Sequence, residues 1–455
     1  MRTEHDVIGS VELDDSVYYG INTYRAMNNF KISGIKEDDD HIKAIAMVKK
    51  AAAYGNHRAG KLNDELYSAI DQACDLVISG KYNDQFVIDV YQAGAGTSFN
   101  MNANEVIANI ALEKLGHKKG DYKIIHPNDT VNMSQSTNDI YPTMMRVAIM
   151  IKAPDLLESM NQLIMSLNRK GEEFSKIYKT GRTHLQDAVR VTLGDEFRAW
   201  AYALAKDMKE IKNALDYILE LNIGGTAVGN GANTPDGYRD YAVEALSNML
   251  KVNFRTSGNM MGVMQFMTDF SRFMNSLANT AIDLGKISDD LRLLYSGPGA
   301  GIREILLPAV QQGSSIMPGK INPSIPEAMN MICNSVLGAQ QAVNMSAKAG
   351  QLELNVFMPN IDYEITRSIT ILKNGMDMLR ERAIDGIKPD LKHCRMHLQN
   401  SFGSAALLNP YLGYDTVAAI VERALETGEN IRDLVLQTGK ITEEQYDKIF
   451  SFMNE

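Results

Sequence analysis

Proline placement is the feature that most constrains how this 455-residue chain can fold. The chain holds 12 prolines, and none lies between Pro154 and Pro235, between Pro235 and Pro298, or between Pro359 and Pro389. Proline lacks the backbone N–H group and clashes with the preceding turn, so it disfavours the interior of a helix. These proline-free stretches leave room for very long helices.

Apolar periodicity between about residues 155 and 295 supports the same conclusion. Large apolar side chains recur there at spacings of three and four, which places them on one face of a helix. They are Trp200, Leu204, Met208, Ile211, Leu215 and Ile218 in one segment and Phe273, Leu277, Leu284, Ile287, Leu291 and Leu294 in another. The pattern predicts a mainly all-α chain with a long central helical bundle. Because a monomer would leave much of each narrow apolar stripe in water, we also expect oligomerisation through the bundle.

Chain length and turn signals predict three domains, since 455 residues exceed what one compact core usually holds. Residues 1–136 mix short segments with turns and form the predicted N-terminal domain. Residues 137–389 form the predicted central bundle domain, which carries a lid near residues 309–324. Residues 390–455 form a small helical C-terminal domain.

Composition excludes several classes of protein. The formal net charge is -10 and no stretch is dense in Lys or Arg, so nucleic acid is not an expected partner. No apolar run approaches the length of a membrane span. Cys74, Cys333 and Cys394 are widely spaced without a CxxC pair, and the N-terminus does not resemble a signal peptide. We therefore expect reduced thiols in a cytoplasmic protein, and no metal bound by these cysteines.

The segment GSSIMPGKINP, which begins at Gly313, has the composition of a catalytic lid. It places the hydroxyls of Ser314 and Ser315, the cation of Lys320 and the amide of Asn322 between glycine hinges and prolines. Prolines prevent the segment from continuing a helix, so its polar side chains are free to face a ligand. The cation indicates a small anion as that ligand.

Two further polar clusters lie earlier in the chain. The stretch GAGTSFNMN contains Thr97, whose hydroxyl follows glycines that allow close backbone approach to a ligand; the alternative is a glycine turn before a helix. The stretch SQSTND contains Ser136, Thr137 and Asn138, which supply two hydroxyls and an amide that suit a carboxylate beside an amine. The alternative for this cluster is a loop whose side chains satisfy one another.

A fourth cluster is GRTHLQD, which contains Thr183 and His184. A lone histidine is often a packed or surface residue, so both interpretations stay open on the residues alone. Glu327 is similarly ambiguous, because SIPE, which begins at Ser324, fits a helix capping box as well as a catalytic role. The glycine-rich run that begins at Gly224 is expected to interrupt the bundle.

All four clusters, in this order, resemble the aspartase/fumarase superfamily, whose members eliminate ammonia, water or an amine from a succinyl-type substrate to give fumarate. The resemblance extends from Tyr18-Tyr19-Gly20 to the stretch LNPYLGY that ends at Tyr414. It implies a nearly all-helical subunit of three domains and a homotetramer around a long central bundle. Each active site would then be built by segments from three subunits.

Within the superfamily, the details are most similar to the aspartases, which convert L-aspartate reversibly to fumarate and ammonia. The similarity lies in Thr97-Ser98, in the STN run that begins at Ser136, and in IPE ending at Glu327. Fumarate hydratase of the class II type and a non-catalytic structural relative are the alternatives. Two positions depart from the superfamily pattern: Gly299 stands where Arg is usual, and Arg190 where Pro is usual.

The resemblance also implies a role for each site residue, with neither metal nor cofactor. Ser314 would be the base, ionised with the help of backbone N–H groups near Ile316 and Met317. His184 would assist, oriented by Glu327. The predicted substrate contacts are Thr97, Ser136, Thr137 and Ser315 for the β-carboxylate, Lys320 and Asn322 for the α-carboxylate, Asn138, Thr183 and His184 for the amine, and Met317 through the lid.

Overall fold

The structure, a computed structural model, describes residues 1–451. Its described part is mainly helical, which confirms the predicted fold class. The α-helices are α1 Ile21–Asn29, α2 Asp39–Arg58, α3 Asp64–Ile78, α4 Thr97–Lys114, α5 Thr137–Glu173, α6 Leu193–Ile218, α7 Tyr238–Leu250, α8 Met260–Gln265, α9 Thr268–Tyr295, α10 Ser324–Lys348, α11 Met358–Arg382, α12 Leu391–Asn400, α13 Asn409–Leu412, α14 Tyr414–Thr427, α15 Ile431–Gln437 and α16 Glu443–Ile449.

Strands in the described residues form only two-stranded sheets, so they fasten loops and build no sheet core. The antiparallel pairs are β1 Arg2–Asp6 with β2 Gly9–Leu13, β3 Tyr178–Thr183 with β4 Gln186–Thr192, and β7 Ile305–Leu306 with β8 Lys388–Pro389. The parallel pair is β5 Glu220–Leu221 with β6 Arg255–Thr256. Short 3₁₀ segments are Asn83–Gln85, Gly94–Gly96, Ile384–Gly386 and Phe402–Leu408, and Pro127–Val131 forms a π-helical turn.

The chain divides into two compact units, and the boundaries fall within the five longest helices. The first unit contains Met1–Glu158, Asp207–Ile282 and Cys333–Lys373, and the second contains Ser159–Lys206, Asp283–Ile332 and Asn374–Glu455. The division into three domains at residues 136 and 389 stays a prediction.

The predicted apolar faces of the long helices are buried. Every apolar position named for α9 is inaccessible or nearly so, as are Trp200, Leu204, Ile211 and Ile218 on α6. Met208 is only half-buried. Periodicity alone therefore identified the core side of both helices.

Two features of the secondary structure were not predicted from the sequence. Pro142 and Pro154 both lie inside α5, where fully buried neighbours such as Met144 and Met145 offset the missing hydrogen bonds through packing. The stretch between residues 155 and 295 is also not continuously helical, because the β3–β4 hairpin separates α5 from α6. A short polar hairpin carries no helical periodicity, so the apolar pattern on either side gave no sign of it.

Buried polar anchors hold the first unit together. Arg146 on α5 is fully buried, and it donates to Asn222 Oδ1 at 3.1 Å, to the Tyr217 carbonyl at 2.8 Å and to Asp269 Oδ2 at 3.0 Å. A charged-group hydrogen bond of this kind is worth more than a neutral one when it is enclosed. Arg146 therefore fixes α5 to the end of α6 and the start of α9, which places the first residues of α5 firmly.

Among the described residues, no helix combines the length and apolar character that crossing a membrane requires.

Candidate active site

The start of α4 exposes Thr97 because Gly96 allows close packing beneath it. Gly96 has φ 83°, and a Cβ atom there would lie 2.0 Å from Tyr141 Cδ2, so only glycine fits. Thr97 is the first residue of the helix and donates from Oγ1 to the Gly94 carbonyl at 3.2 Å. Asn100, one turn later on the same face, is buried.

The start of α5 displays Ser136, Thr137 and Asn138 on an internally bonded turn. Ser136 N–H donates to Asp139 Oδ1 at 2.8 Å, and Asn138 N–H donates to Ser136 Oγ at 3.2 Å. Asn138 Nδ2 donates to the carbonyl of Ala227 at 2.9 Å. Since that carbonyl can only accept, the amide of Asn138 is oriented with its Oδ1 left as an acceptor.

Asp139 fastens this turn to the glycine-rich loop. Its side chain is fully buried, and Oδ2 accepts from Gly224 N–H at 2.9 Å and from Thr226 N–H at 3.0 Å. The run that begins at Gly224 was expected only to interrupt the bundle. In the structure it also holds the Ser136 turn, through one carboxylate shared by the two loops.

Burial governs the charge on this carboxylate. It raises the pKa of Asp139 to about 7, against the opposing effect of the N–H donors of Ser136, Thr226 and Gly224 and the charge of Lys49. Lys49 on α2 is itself fully buried, and burial lowers its pKa to about 7. A buried lysine and a buried aspartate thus lie beneath the predicted carboxylate-binding hydroxyls.

A cavity of about 640 Å³ opens beside these hydroxyls. Its wall includes Ser136, Thr137 and Thr226. The neighbouring π-helical turn is capped by His126, whose Nδ1 accepts from the N–H groups of Asn128 and Asp129 at 3.1 Å each. Hydroxyls and amides dominate the wall near Ser136, which suits an anion that needs several donors.

Thr183 and His184 lie at the exposed tip of the β3–β4 hairpin. Thr183 ends β3 opposite Gln186, and the two turn residues His184 and Leu185 have φ values of 54° and 58°. A two-residue hairpin turn with positive φ at both positions normally contains Asn or Gly. Strained backbone of this kind concentrates at functional sites.

A buried ion cluster fixes the base of the hairpin. Glu304 is fully buried and accepts from Arg182 at 3.0 and 2.9 Å, pairs with Lys179 at 3.0 Å and contacts His397 Nδ1 at 2.9 Å. Burial opposes ionisation of this carboxyl, but the Arg182 hydrogen bonds and the Lys179 charge together hold the pKa of Glu304 below its usual value. The residue before Thr183 is therefore held rigidly although the tip itself is exposed.

The lid forms a closed loop in which Ser314 receives two backbone hydrogen bonds. The N–H groups of Ile316 and Met317 donate to Ser314 Oγ at 3.2 and 3.0 Å. Asn322 Nδ2 donates to the carbonyl of Gly313 at 2.8 Å and joins the two ends of the loop. Most of the lid is exposed, with Ile316 at 83% accessibility.

The C-terminal end of the lid borders a second cavity. Lys320, Asn322 and Glu327 contribute to the wall of this space, which measures about 590 Å³. The capping box, one of the two interpretations of the run from Ser324 to Glu327, is not seen among the described contacts: the N–H of Glu327 donates to the Pro323 carbonyl at 3.1 Å. The helix begins with a backbone bond at this point, and the carboxylate of Glu327 is left for other contacts.

Within one chain, the predicted site residues fall into three groups. Thr137 is linked through Asn100 to the helix that carries Thr97. The second group is the hairpin tip, and the third is the lid with Glu327. Among the described residues no hydrogen bond or ion pair joins His184 to Glu327, so their pairing stays a prediction.

Several polar residues behind the first group received no role from the sequence. They are Lys49, Asn100, Asn132, Gln135 and Asp139, all of which hydrogen-bond within the network beneath Ser136 and Thr137. One signal was present. Residues three and four positions from Lys49 on both sides are Ile or Ala, which places the lysine on a buried helix face.

Comparison with known proteins gives full-length matches. Residues 9–338 match the family described as Lyase, and residues 405–454 match that described as Fumarase C C-terminus. An aspartate ammonia-lyase of Pseudomonas canavaninivorans is 46% identical, covering 98% of this chain and 95% of the relative.

Solved structures match equally completely. The fumarate lyase:delta crystallin of Brucella melitensis, bound to cobalt, has a TM-score of 0.96 at 43% identity, covering 100% of this chain and 99% of that one. The class II fumarase of Schistosoma mansoni has the same TM-score, 0.96, at 31% identity, covering 99% and 98%.

Proposed function

The chain belongs to the lyase family, as the resemblance predicted, and we propose that it is an aspartate ammonia-lyase that converts L-aspartate reversibly to fumarate and ammonia. The observation that carries the chemistry is the pair of N–H groups, from Ile316 and Met317, on Ser314 Oγ. A serine hydroxyl is a weak base unless it is ionised. Two fixed donors stabilise the alkoxide at the position where it must form.

In the proposed reaction, the Ser314 alkoxide takes a proton from the β-carbon of aspartate. The electron pair of the broken C–H bond moves into the β-carboxylate and gives a doubly charged aci-carboxylate. The hydroxyls that would receive this charge are those of Thr97, Ser136 and Thr137, with Ser315 from the lid. Donors aimed at charge that develops in the transition state are the most effective catalytic groups.

The aci-carboxylate then expels the amine. Its electron pair forms the new carbon–carbon double bond, and the C–N electrons leave with nitrogen as ammonia. This step needs acceptors around the amine and no proton donor. Asn138 supports it because its Oδ1 is left free by the bond from Nδ2 to Ala227. Thr183 and His184 would complete the amine site, and Lys320 with Asn322 would hold the α-carboxylate.

The lid arrangement adds one condition to the role of Asn322. Its amide donates to the Gly313 carbonyl, so only the second N–H of Nδ2 is available for substrate. While the lid ends are joined, this second N–H is the donor that Asn322 would offer to the α-carboxylate.

Identity favours the ammonia-lyase over the hydratase. The chain is 46% identical to the Pseudomonas aspartate ammonia-lyase and 31% identical to the Schistosoma class II fumarase. A hydratase would also have to protonate its leaving hydroxide, and the groups near Asn138 offer acceptors. Retention of Ser314, Lys320, Asn322 and His184 together opposes a non-catalytic role.

One assay tests the function. Purified protein is incubated separately with L-aspartate and L-malate, while fumarate is followed by absorbance and ammonia by a coupled reaction. We expect equal amounts of fumarate and ammonia from aspartate and little fumarate from malate. Faster turnover of malate would assign the chain to the hydratases, and no turnover of either would favour the structural relative. Ser314→Ala is the matched control for contaminating activity.

We also propose that the protein is a homotetramer whose sites are shared between three subunits. Exposed apolar side chains on the long helices support an interface: Met331 and Met345 on α10 are 69% and 72% accessible, and Ile282 and Leu293 on α9 are 54% and 42% accessible. Each pair lies on one face of its helix, because their spacings are close to whole numbers of turns. Large apolar side chains that are exposed on long helices would be stabilised by burial against another subunit.

Subunit mixing tests the shared site. Ser314→Ala and Thr97→Ala subunits, each inactive alone, are combined after exchange has been verified with a tag. Activity should return, because some sites in a mixed tetramer then contain neither defect. Persistent inactivity in verified mixed tetramers would mean that both residues act within one chain.

Finally, we propose a cytoplasmic location. Cys74, Cys333 and Cys394 are buried, and none of the three forms a disulfide among the described residues. Reduced thiols fit a reducing compartment.

A further inference from the structure

We propose that Lys49 is a positioning residue that fixes the direction in which the hydroxyl of Thr137 donates. Lys49 does not reach the substrate in this proposal. It acts through a chain of side-chain amides, from Lys49 to Asn132 to Asn100 to Thr137. The inference rests on the proposed function, since it takes Thr137 to be a donor to the substrate carboxylate.

The chain begins at the ammonium form of Lys49, which can only donate to its two neighbours. Lys49 Nζ lies 2.8 Å from Asn132 Oδ1 and 2.9 Å from Gln135 Oε1. An ammonium has three N–H groups and no acceptor, so it supplies both bonds. Asn132 and Gln135 must therefore turn their oxygen atoms toward the lysine.

The amide of Gln135 confirms this orientation independently. With its oxygen toward Lys49, its Nε2 donates to the carbonyls of Val131 and Met133 at 2.9 and 3.0 Å. Carbonyl oxygens can only accept, so the opposite orientation of the amide would face two acceptors with an acceptor. The lysine and two main-chain carbonyls thus fix the same rotamer.

Asn100 links the orientation of the Asn132 amide to the hydroxyl of Thr137. Its Nδ2 lies 3.4 Å from Asn132 Oδ1 and 3.0 Å from Thr137 Oγ1. Because Asn132 presents an oxygen, Asn100 must present its NH₂ group to both neighbours. Asn100 is 1% accessible, so no water competes for this bond.

The hydroxyl proton of Thr137 is left to donate into the cavity. Its Oγ1 accepts from Asn100, and among the described residues it donates to no protein acceptor. The residue is half-buried in the wall of the cavity of about 640 Å³. Its proton is therefore available to a carboxylate bound there. If Asn100 turned over, Thr137 would donate to the Asn100 oxygen and would offer the substrate only lone pairs.

The test uses succinate, a four-carbon dicarboxylate that lacks the amine and cannot react. Its dissociation constant is measured by calorimetry on the full-length protein. Lys49→Met keeps the length of the side chain and removes the donors, so Asn132 no longer has to present its oxygen and Asn100 is free to turn. Gln135 stays held by its two main-chain carbonyls. We expect succinate to bind at least about 10-fold more weakly, the cost of losing one hydrogen bond to a charged group.

A double-mutant cycle separates positioning from general structural damage. Thr137→Val removes the hydroxyl at nearly constant shape, and Lys49→Met should cost nothing further in that background, because the group it positions is already gone. Additive losses of succinate affinity would overturn the proposal.

Lys170→Met is the matched control. Lys170 is also buried and hydrogen-bonds to Glu173 and to the Ile387 carbonyl, but it is not part of this chain of amides.

A second variant covers the case in which Lys49→Met does not fold. Asn100→Leu removes the last donor in the chain and leaves the Thr137 hydroxyl without a fixed direction. Succinate should therefore bind more weakly, by no more than the loss seen for Thr137→Val and with no further loss in the Thr137→Val background. Wild-type affinity in Asn100→Leu would contradict the inference. If wild-type protein forms fumarate from aspartate while either cycle is additive, only the inference fails. If wild-type protein neither turns over aspartate nor binds succinate, the proposed function fails and the inference with it.

Discussion

The turn from Ser136 to Asn138 and the lid from Gly313 to Asn322 present similar side chains in opposite ways. The turn lies on a buried network in which Asp139 joins it to a second loop. The lid is largely exposed, and its hydrogen bonds are made within itself. A group that stabilises developing charge must be rigid, whereas a group that admits substrate must open. Substitutions in the turn should therefore change both stability and activity, whereas substitutions in the lid should change activity alone.

Ser314→Ala should give the largest loss of activity and the clearest separation from stability. We expect the rate of elimination to fall by about 10⁴-fold or more, because the base is removed. The melting temperature should be unchanged, since the exposed lid contributes no core packing. Steady-state kinetics and a thermal melt measure the two effects. A variant that retains near-normal turnover would exclude Ser314 as the base.

Asp139→Ala should instead change both quantities. Three backbone N–H groups lose their acceptor, two of them buried and one partly buried, which should lower the free energy of unfolding by about 3 kcal/mol. Elimination should fall by about 100-fold because the donors of the turn are no longer held in place. Denaturant unfolding and kinetics measure these changes. Asp64→Ala, which alters an aspartate side chain that is 98% accessible, is the control and should change neither.

The pH dependence of elimination sharpens the same contrast. The pKa of Asp139 is raised from 3.8 to about 7, so the carboxylate is charged above that pH and becomes protonated below it. Activity should therefore fall as the pH is lowered through 7, approaching about a 10-fold loss per unit. The effect on stability has the opposite sign: the folded state binds this proton more tightly, so its contribution to stability decreases as pH rises between those two values.

Asp139→Asn is the control for the pH profile, because its amide does not titrate near neutrality. Its activity should be low and should no longer fall between pH 8 and 6, apart from the contribution of other groups. A profile that is identical in wild type and variant would show that a different group titrates.

Gly319→Ala should have the smallest effect and should again be confined to activity. Gly319 has φ 77°, and a methyl group on its Cα would meet open space, so alanine there costs about 1 kcal/mol of backbone strain without a clash. Elimination should slow by a few-fold as the lid loop opens more readily. Gly439→Ala is matched, with φ 67° and equally open surroundings, and should leave kinetics unchanged. If both variants lost the same amount of activity, opening of the lid would not be the cause.

The groups that would touch the substrate in the proposed reaction were chosen from sequence patterns. Thr97, Ser136 and Ser314 each lie in a run of polar residues near glycine or proline. Such polar runs rarely form a core, so the sequence predicts that these residues lie at the surface. The β3–β4 hairpin beneath His184 was missed, since a short polar hairpin has neither helical periodicity nor a glycine turn. The run that begins at Ser324 shows the same limit, because a motif that fits a capping box does not decide between backbone and side-chain acceptors.

The sequence by itself determined the helical class, the buried faces of α6 and α9, and the family, because each depends on residues close together in the chain or on an ordered series of motifs. Only the tertiary structure decided that Lys49, Asn100 and Thr137 form one directed chain and that Asp139 joins two loops. Those contacts connect residues far apart in sequence, from 37 positions between Asn100 and Thr137 to 87 between Asp139 and Thr226. The direction of a hydrogen bond depends on all neighbours of a buried group at once, and that arrangement exists only after the chain has folded.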